Sequence, residues 1–339
     1  MDATSWYRAY GVFPSLNVLL DRELLIVNYM GGTWADIYQY DILFLQRPMT
    51  RDVLKLAGYA KSLGLKIWID MDDNLLQLPP ESRAFFDFPA DTRQCMISMY
   101  QIADVVTVST MALAVVLEQF GAKRVVVIPN ALNDQVHRMS TVHNVASKDV
   151  VWRGSETHVA DLLYLQGAIE DAISKSDDVY HFMGYAPWSI AHKMDYFAKG
   201  IYGEAGARIH FHKPEDNKIY HENIQALAPR LMHVPLVVNE LNVSKSNIAW
   251  IEATFAGAAC IAPDWPEWRM PGVLLYKTEE EYTQLLISQD DRTENWRKSR
   301  DYIKENLLLS VVNKQRVALV AELMGFQEPK MLTMSYEPD

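Results

Sequence analysis

The chain has 339 residues, 49% hydrophobic and 22% charged, a balance that fits a folded globular protein with room for two domains and excludes a disordered or fibrous one. No apolar run reaches the roughly 18 residues of a bilayer span, the amino-terminal "MDATSWYRAY" lacks the layout of a secretory leader, and Cys95 and Cys260 lie far apart in apolar surroundings, so a cytoplasmic protein without disulfides is expected. A formal net charge of −11 is a poor field for attracting nucleic acid and favours small-molecule partners.

In chain order, "ELLIVNY" (23–29) and "YDILFLQRP" (40–48) read as strands. "TRDVLKLAGYAKSLG" (50–64) has apolar residues at helical spacing and stops at Gly64. There follow a strand in "LKIWID" (65–70), a helix within 90–103, a strand in "DVVTVS" (104–109), a helix over 110–121 and a strand in "RVVVIPN" (124–130). Apolar strands alternating with helices imply a parallel sheet covered on both faces. The stretch 131–149 is polar, lacks a period and reads as a connection.

A second series begins with "VVWRG" (150–154), a helix over 159–175, "VYHFMGY" (179–185), a helix over 189–200 and "RIHFH" (208–212). It continues with a helix over 216–228, "HVPLVVN" (233–239), a helix over 245–256 and "AACIAPD" (258–264), and ends in a helical, amphipathic stretch from 291 to 325. The expected architecture is α/β, with two Rossmann-like domains facing across a ligand-binding cleft. The expected division is a first domain over 1–135, a linker over 136–149, a second domain over 150–300, a helix over 301–326 and a tail over 327–339.

The chemistry concentrates in three segments. In "VPLVVNELNVSKSNIAWIEATFAGAACIAPDWPEW" (234–268), Lys245, Ser246 and Asn247 open a helix that carries Glu252, and Ser244 or Ser246 would cap it. The free N–H groups of such a start bind anions, and Lys245 adds a full charge. Glu252, between Ile251 and Ala253, suits the paired hydroxyls of a ribose. In "VVWRGSETHVADLLYL" (150–165), Arg153 can grip a diphosphate, Gly154 lets a backbone approach a ligand, and Ser155 and His158 lie at the following turn.

The third segment, "LKIWIDMDDNLLQLPP" (65–80), holds Asp70, Asp72 and Asp73. Asp70-Met71-Asp72 matches the Asp-x-Asp pattern of a divalent-metal site. The cations Arg153 and Lys245 belong to the other domain and would already balance a diphosphate, so Asp72 and Asp73 suit sugar or acceptor hydroxyls across the cleft. Strand-end capping and a metal site remain the alternatives. Arg8 in "SWYR" and Arg47 in "LQRP" fall where they could border the cleft on the acceptor side. "HFHK" (210–213) ends a strand, and the tryptophans of "DWPEW" (264–268) read as packing.

The run Pro235-Leu236…Asn242-x-x-Lys245-Ser246-x-x-x-x-x-Glu252-Ala253…Gly257 resembles the donor-binding stretch of retaining glycosyltransferases of the GT-B fold, the family-4-like group. "WRGSETHVADL" resembles the first βα turn of the donor domain, and "SWYR…YDILFLQRP…IDMDDNL" is similar to the amino-terminal half of compact phage and bacterial members. The resemblance implies two facing Rossmann-like domains and a nucleotide-sugar donor held by the second. It also implies an acceptor on the first, a final helix crossing back, and retention without a metal or other cofactor. In that group two glutamates eight residues apart frame the donor. The second matches Glu252, whereas Ser244 stands at the first, where Ser244, Asn242 or Glu240 would have to substitute.

The expected donor residues are thus Arg153, Gly154, Ser155, His158, Asn242, Ser244, Lys245, Ser246 and Glu252, with Asp72, Asp73 and Glu252 as the catalytic carboxylates. The acceptor is left open among a glycan, a small molecule and a hydroxymethylated DNA base of the phage type, for which the compartment would be the host cytoplasm. A reading of another class is a non-catalytic sugar-nucleotide-binding or scaffold protein, which the serine at 244 keeps open.

Overall fold

Short β-branched runs separated by helices build two parallel sheets. The structure, a computed structural model, describes residues 3–20, 34–80, 82, 84–155, 158–184 and 208–325. The first sheet contains β1 (Ile42–Gln46), β2 (Lys66–Met71), β3 (Val105–Val108) and β4 (Val125–Val127), side by side in that order. Helices Arg51–Ser62, Ala90–Ile102 and Met111–Gln119 run between them. Thr50 and Thr110 cap two of these helices, accepting from the N–H groups of Val53 and Leu113. Burial of both faces explains the unbroken apolar reading of β2. Ile67, Ile69 and Met71 join the core formed with these helices. Trp68 instead meets Phe44 and Phe13 edge to face, with ring centroids 5.1 and 6.0 Å away. Phe13 opens the helix Phe13–Leu20, which packs against the last helix of the chain.

The second sheet contains β5 (Asp149–Gly154), β6 (Val179–Gly184), β7 (Ile209–His212), β8 (Leu231–His233), β9 (Ala259–Pro263) and β10 (Leu274–Tyr276). Its order is β10-β9-β8-β5-β6-β7, all parallel. The chain winds outward from β5 to β7, then returns to the other side of β5 for β8. The direction therefore reverses between β5 and β8, which makes their carboxyl ends the place for a ligand. One hydrophobic core runs through both domains, from Trp68 and Val105 of the first sheet to Val151, Met232 and Cys260 of the second.

Several expected boundaries move, for physical reasons. The strand expected over 233–239 stops at His233. Pro235 has no N–H to donate, and the amides of Leu236 and Val237 instead donate to the Tyr276 hydroxyl and the Asp161 carboxylate. The helix expected over 245–256 is Ile248–Phe255. It has neither serine as its cap: Asn247 occupies that position without a side-chain capping bond, and Ser244 ends a separate short turn, Glu240–Val243, whose cap is Asn239. The helix expected over 159–175 divides at Leu165 into Val159–Tyr164 and Gln166–Lys175. The carboxyl-terminal stretch divides into Thr293–Asn306 and Leu309–Met324, because Leu132 pairs its backbone with Leu307 and Leu309 at the break. The second of these helices reaches the first domain, where Glu322 meets Arg124 at 2.5 Å. Strand β10 and the helix Glu279–Ile287 had no sequence expectation. The strand expected at 23–29, the helix at 189–200 and the tail at 327–339 lie outside the described residues.

The carboxyl ends of β5 and β6 meet at two glycines in register, Gly154 and Gly184. Gly184 has φ +105°, and a Cβ there would sit 2.0 Å from the Gly154 carbonyl oxygen. Gly184→Ala is expected to cost at least about 2 kcal/mol, combining left-handed strain with a backbone clash. Urea denaturation of the full chain measures it.

Candidate active site

The two sheets point their carboxyl ends at a common cavity of about 630 Å³, within the usual range for small-molecule sites. The first domain contributes Arg47 after β1 and Asp72 and Asp73 after β2. The second contributes Arg153 and Gly154 from β5, Ser155 just after it, Lys213 after β7, Lys245 and Ser246 before the helix Ile248–Phe255, and Glu252 within it. His158 also lines the cavity.

Arg47 organises the first-domain side. Its backbone is left-handed at φ 45°, and its N–H donates to the Asp70 carbonyl at 3.0 Å. That conformation costs a non-glycine residue roughly 1–2 kcal/mol. The side chain is thereby set between the two carboxylates, with Nε donating to Asp72 Oδ1 at 2.5 Å and the terminal nitrogen to Asp73 Oδ2. Lys245 reaches across the cleft to Asp73 at 3.6 Å. The neighbouring carboxylates diverge as a result. Burial raises Asp72, with Asp73 adding to the effect and Arg47 opposing it. Burial acts on Asp73 in the same direction, but Lys245 and Arg47 overcome it and hold the group at about 2.

Glu252 is buried at 1% exposure and takes three partners. Tyr7 donates to Oε1 at 2.7 Å, Tyr220 donates to Oε2 at 3.1 Å, and Arg153 Nε lies 2.6 Å from Oε2. The arginine contact is an ion pair without hydrogen-bond alignment. Tyr7 Oη also lies 2.7 Å from His221 Nε2, and His221 Nδ1 lies 2.6 Å from the Asn217 carbonyl. A carbonyl only accepts, so Nδ1 donates. The single hydrogen of Tyr7 cannot serve both Nε2 and Oε1. Burial lowers the pKa of His221, with Glu252 opposing it, so the neutral imidazole and Glu252 compete for that one hydrogen.

The other expected residues divide. Ser246 lines the cavity and accepts from Asn130 Nδ2 at 2.8 Å. His158 pairs with Asp161 at 2.8 Å, and burial followed by Lys245 lowers its pKa. Gly154 has a packing reason as well as a position in the cavity, since a Cβ would lie 2.5 Å from the Trp152 ring. Arg8 does not border the cleft. It is buried at 1% exposure with both carboxylate oxygens of Asp70 at 2.7 and 2.8 Å, so Asp70 is a strand residue paired inside the first domain. Asn242 and Ser244 are also turned away. Asn242 Nδ2 donates to Asp161 at 2.6 Å, and Ser244 Oγ donates to the Glu240 carbonyl at 2.9 Å. No side chain at position 244 therefore replaces the missing glutamate.

Tyr7, Tyr220, Lys213, Asn217 and Asn130 line the cavity without having been singled out in the sequence. Tyr7 lies beside Arg8, so the residue of "SWYR" that faces the cavity is the tyrosine and not the arginine. Two buried donors that belong to cavity-lining residues, Asn217 Nδ2 and Trp268 Nε1, have no protein acceptor. Tyr7→Phe is expected to destabilise the chain by about 1–3 kcal/mol, because Glu252 and His221 both lose a buried partner. Thermal denaturation beside Tyr220→Phe, whose bond is the longer, measures it.

No protein-family model matches the sequence, and no curated protein is similar to it by sequence. Solved structures are similar in fold. Anabaena Alr3699/HepE, in complex with UDP and glucose, superposes with a TM-score of 0.62 at 14% identity over 85% of this chain and 80% of that one. The sucrose-phosphate synthase of Thermosynechococcus elongatus gives 0.62 at 13% identity over 85% and 75%. An alpha-glucosyltransferase in complex with UDP-glucose and DNA containing an abasic site gives 0.59 at 12% identity over 85% and 82%. The fold of this chain is theirs, the GT-B arrangement of two Rossmann-like domains facing across a cleft. Among the described residues, no helix is long and apolar enough to cross a membrane.

Proposed function

We propose that this chain is a glycosyltransferase that moves a sugar from a nucleoside diphosphate donor to a hydroxyl acceptor, with retention and without a metal. The observation that carries the reading is the meeting of Lys245 and Arg153, at the reversal point of the second sheet, with Asp72 and Asp73 in one cavity. In this reading the diphosphate takes Lys245 from Asp73, and Glu252, oriented by Tyr7, Tyr220 and Arg153, receives the ribose hydroxyls. The acceptor oxygen bonds to the anomeric carbon as the bond from that carbon to the β-phosphate oxygen breaks. The nucleoside diphosphate leaves with the electron pair, stabilised by fixed positive charge. The acceptor proton passes to Asp72, whose burial favours accepting it, or to the departing phosphate oxygen. Arg47, Lys245 and Arg153 supply the charge that a divalent ion would otherwise bring.

The test is a thermal-shift panel of sugar nucleotides followed by donor hydrolysis without acceptor. One nucleotide series is expected to raise the melting temperature by several degrees at concentrations near 100 times Kd, and its sugar to be released slowly in the presence of EDTA. Absence of any shift overturns the donor reading, and turnover that requires manganese overturns metal independence. Binding without hydrolysis or transfer would instead favour the sugar-nucleotide-binding scaffold.

A further inference from the structure

The first-domain wall of the cavity is apolar beside its two carboxylates. Leu75, Leu78 and Phe88 line it and belong to, or pack against, one continuous core cluster. Leu241 belongs to that same cluster although it comes from the second domain, so the segment before Lys245 completes the wall. The surface is built rather than left by a loose loop. Asn74 Oδ1 accepts from the Gln77 amide at 3.3 Å, its Nδ2 donates to Gln77 Oε1 at 2.9 Å and to the Glu240 carbonyl at 3.1 Å, and the Leu75 amide donates to the Asp73 carbonyl at 3.0 Å. Thr110 adds a second tie, donating to the Ser244 carbonyl at 2.8 Å. These bonds hold Leu75, Leu78 and Leu241 in the core at 3–6% exposure, each turning an edge to the cavity beside Asp72 and Asp73, with Phe88 half-buried next to them.

We infer that this wall and the paired carboxylates form the acceptor subsite, and that it takes a small amphiphile: a hydroxyl-bearing head against Asp72 and Asp73, with an uncharged aliphatic or aryl body along Leu75, Leu78, Phe88 and Leu241. The inference rests on the glycosyltransferase reading for the word acceptor, while the binding preference stands on the wall itself. Carboxylates at the head exclude a phosphorylated one, and an apolar body gives a nucleic-acid chain no counter-charge. Area buried along such a wall converts to roughly tenfold in affinity for about 50 Å².

The test titrates octyl glucoside below its micellar concentration, free glucose and a hydroxymethylated DNA duplex into the full chain by calorimetry, each with and without UDP. Octyl glucoside is expected to bind about tenfold tighter than glucose, and Phe88→Asp to reduce that ratio to near one. Leu78→Thr provides a milder second variant should the first not fold. Equal affinity for octyl glucoside and glucose in the unaltered chain, or tighter binding of the duplex, overturns the inference. UDP titrated alone judges the donor reading separately: no UDP binding with a retained octyl preference would sink that reading and leave the apolar subsite standing.

Discussion

Asp70→Asn is expected to be the most damaging single substitution away from the cavity, costing about 3–5 kcal/mol, the usual cost of breaking a buried ion pair from one side. Asp70 is 3% exposed and accepts from Arg8 at 2.7 and 2.8 Å and from Thr107 at 2.6 Å. A second cation is close. Arg316, on the last helix, is 2% exposed, and burial followed by Arg8 pushes its guanidinium down to about 9, with Asp70 opposing them. Asp70 thus pairs directly with Arg8 and lies within electrostatic reach of Arg316, whose guanidinium donates to Asn313 Oδ1 at 3.0 Å. Neutralising Asp70 leaves like charges facing each other inside the protein. Arg8→Ala is expected to be milder, because Asp70 keeps Thr107 as a donor and the positive charge of Arg316 nearby, although the Ile128 carbonyl and Asn130 also lose a donor. Urea melts of Asp70→Asn, Arg8→Ala and the double variant measure the coupling, and the double variant should be more stable than Asp70→Asn alone. A stability loss below 1 kcal/mol for Asp70→Asn would show that the arginines find other partners.

The same pair shows where sequence reasoning reached its end. Strands such as Lys66–Met71 and Asp149–Gly154 were legible because β-branched residues, bounded by polar turns, leave few alternatives. The cleft was legible too, since parallel sheets place ligands at their carboxyl ends, and Arg47, Asp72, Arg153, Lys245 and Glu252 all stand there. Partners were not legible. Nothing local separates Asp70, turned into the first domain, from Asp72 two residues later, just past the end of the strand. Only the placement of Arg8, more than sixty residues away, decides it. Tyr7 escaped notice for a related reason, since its meaning comes from Glu252 in the other domain. The helix caps failed more simply. The helix that Ser244 or Ser246 was expected to open starts only at Ile248, so Asn247 takes the cap position and Ser244 falls at the end of the turn Glu240–Val243.

Lys245 and Asp73 are expected to respond to substitution with opposite signs, and this is the sharpest test of the donor site. Lys245→Ala removes the cation that meets the diphosphate, and charge-assisted bonds of that kind are worth about 1.5–3 kcal/mol, or roughly 10- to 150-fold in UDP affinity. Asp73→Asn removes the carboxylate that pairs with Lys245 at 3.6 Å. UDP then meets a free ammonium and no neighbouring negative charge at that position, so its affinity should rise several-fold while transfer to the acceptor falls. A purely structural clasp predicts otherwise. If the pair only held the domains together, either substitution would loosen the cleft, and UDP affinity would fall in both. Titration of UDP into the two variants at matched ionic strength separates these cases, because only competition between Asp73 and the diphosphate for one ammonium makes the affinities diverge.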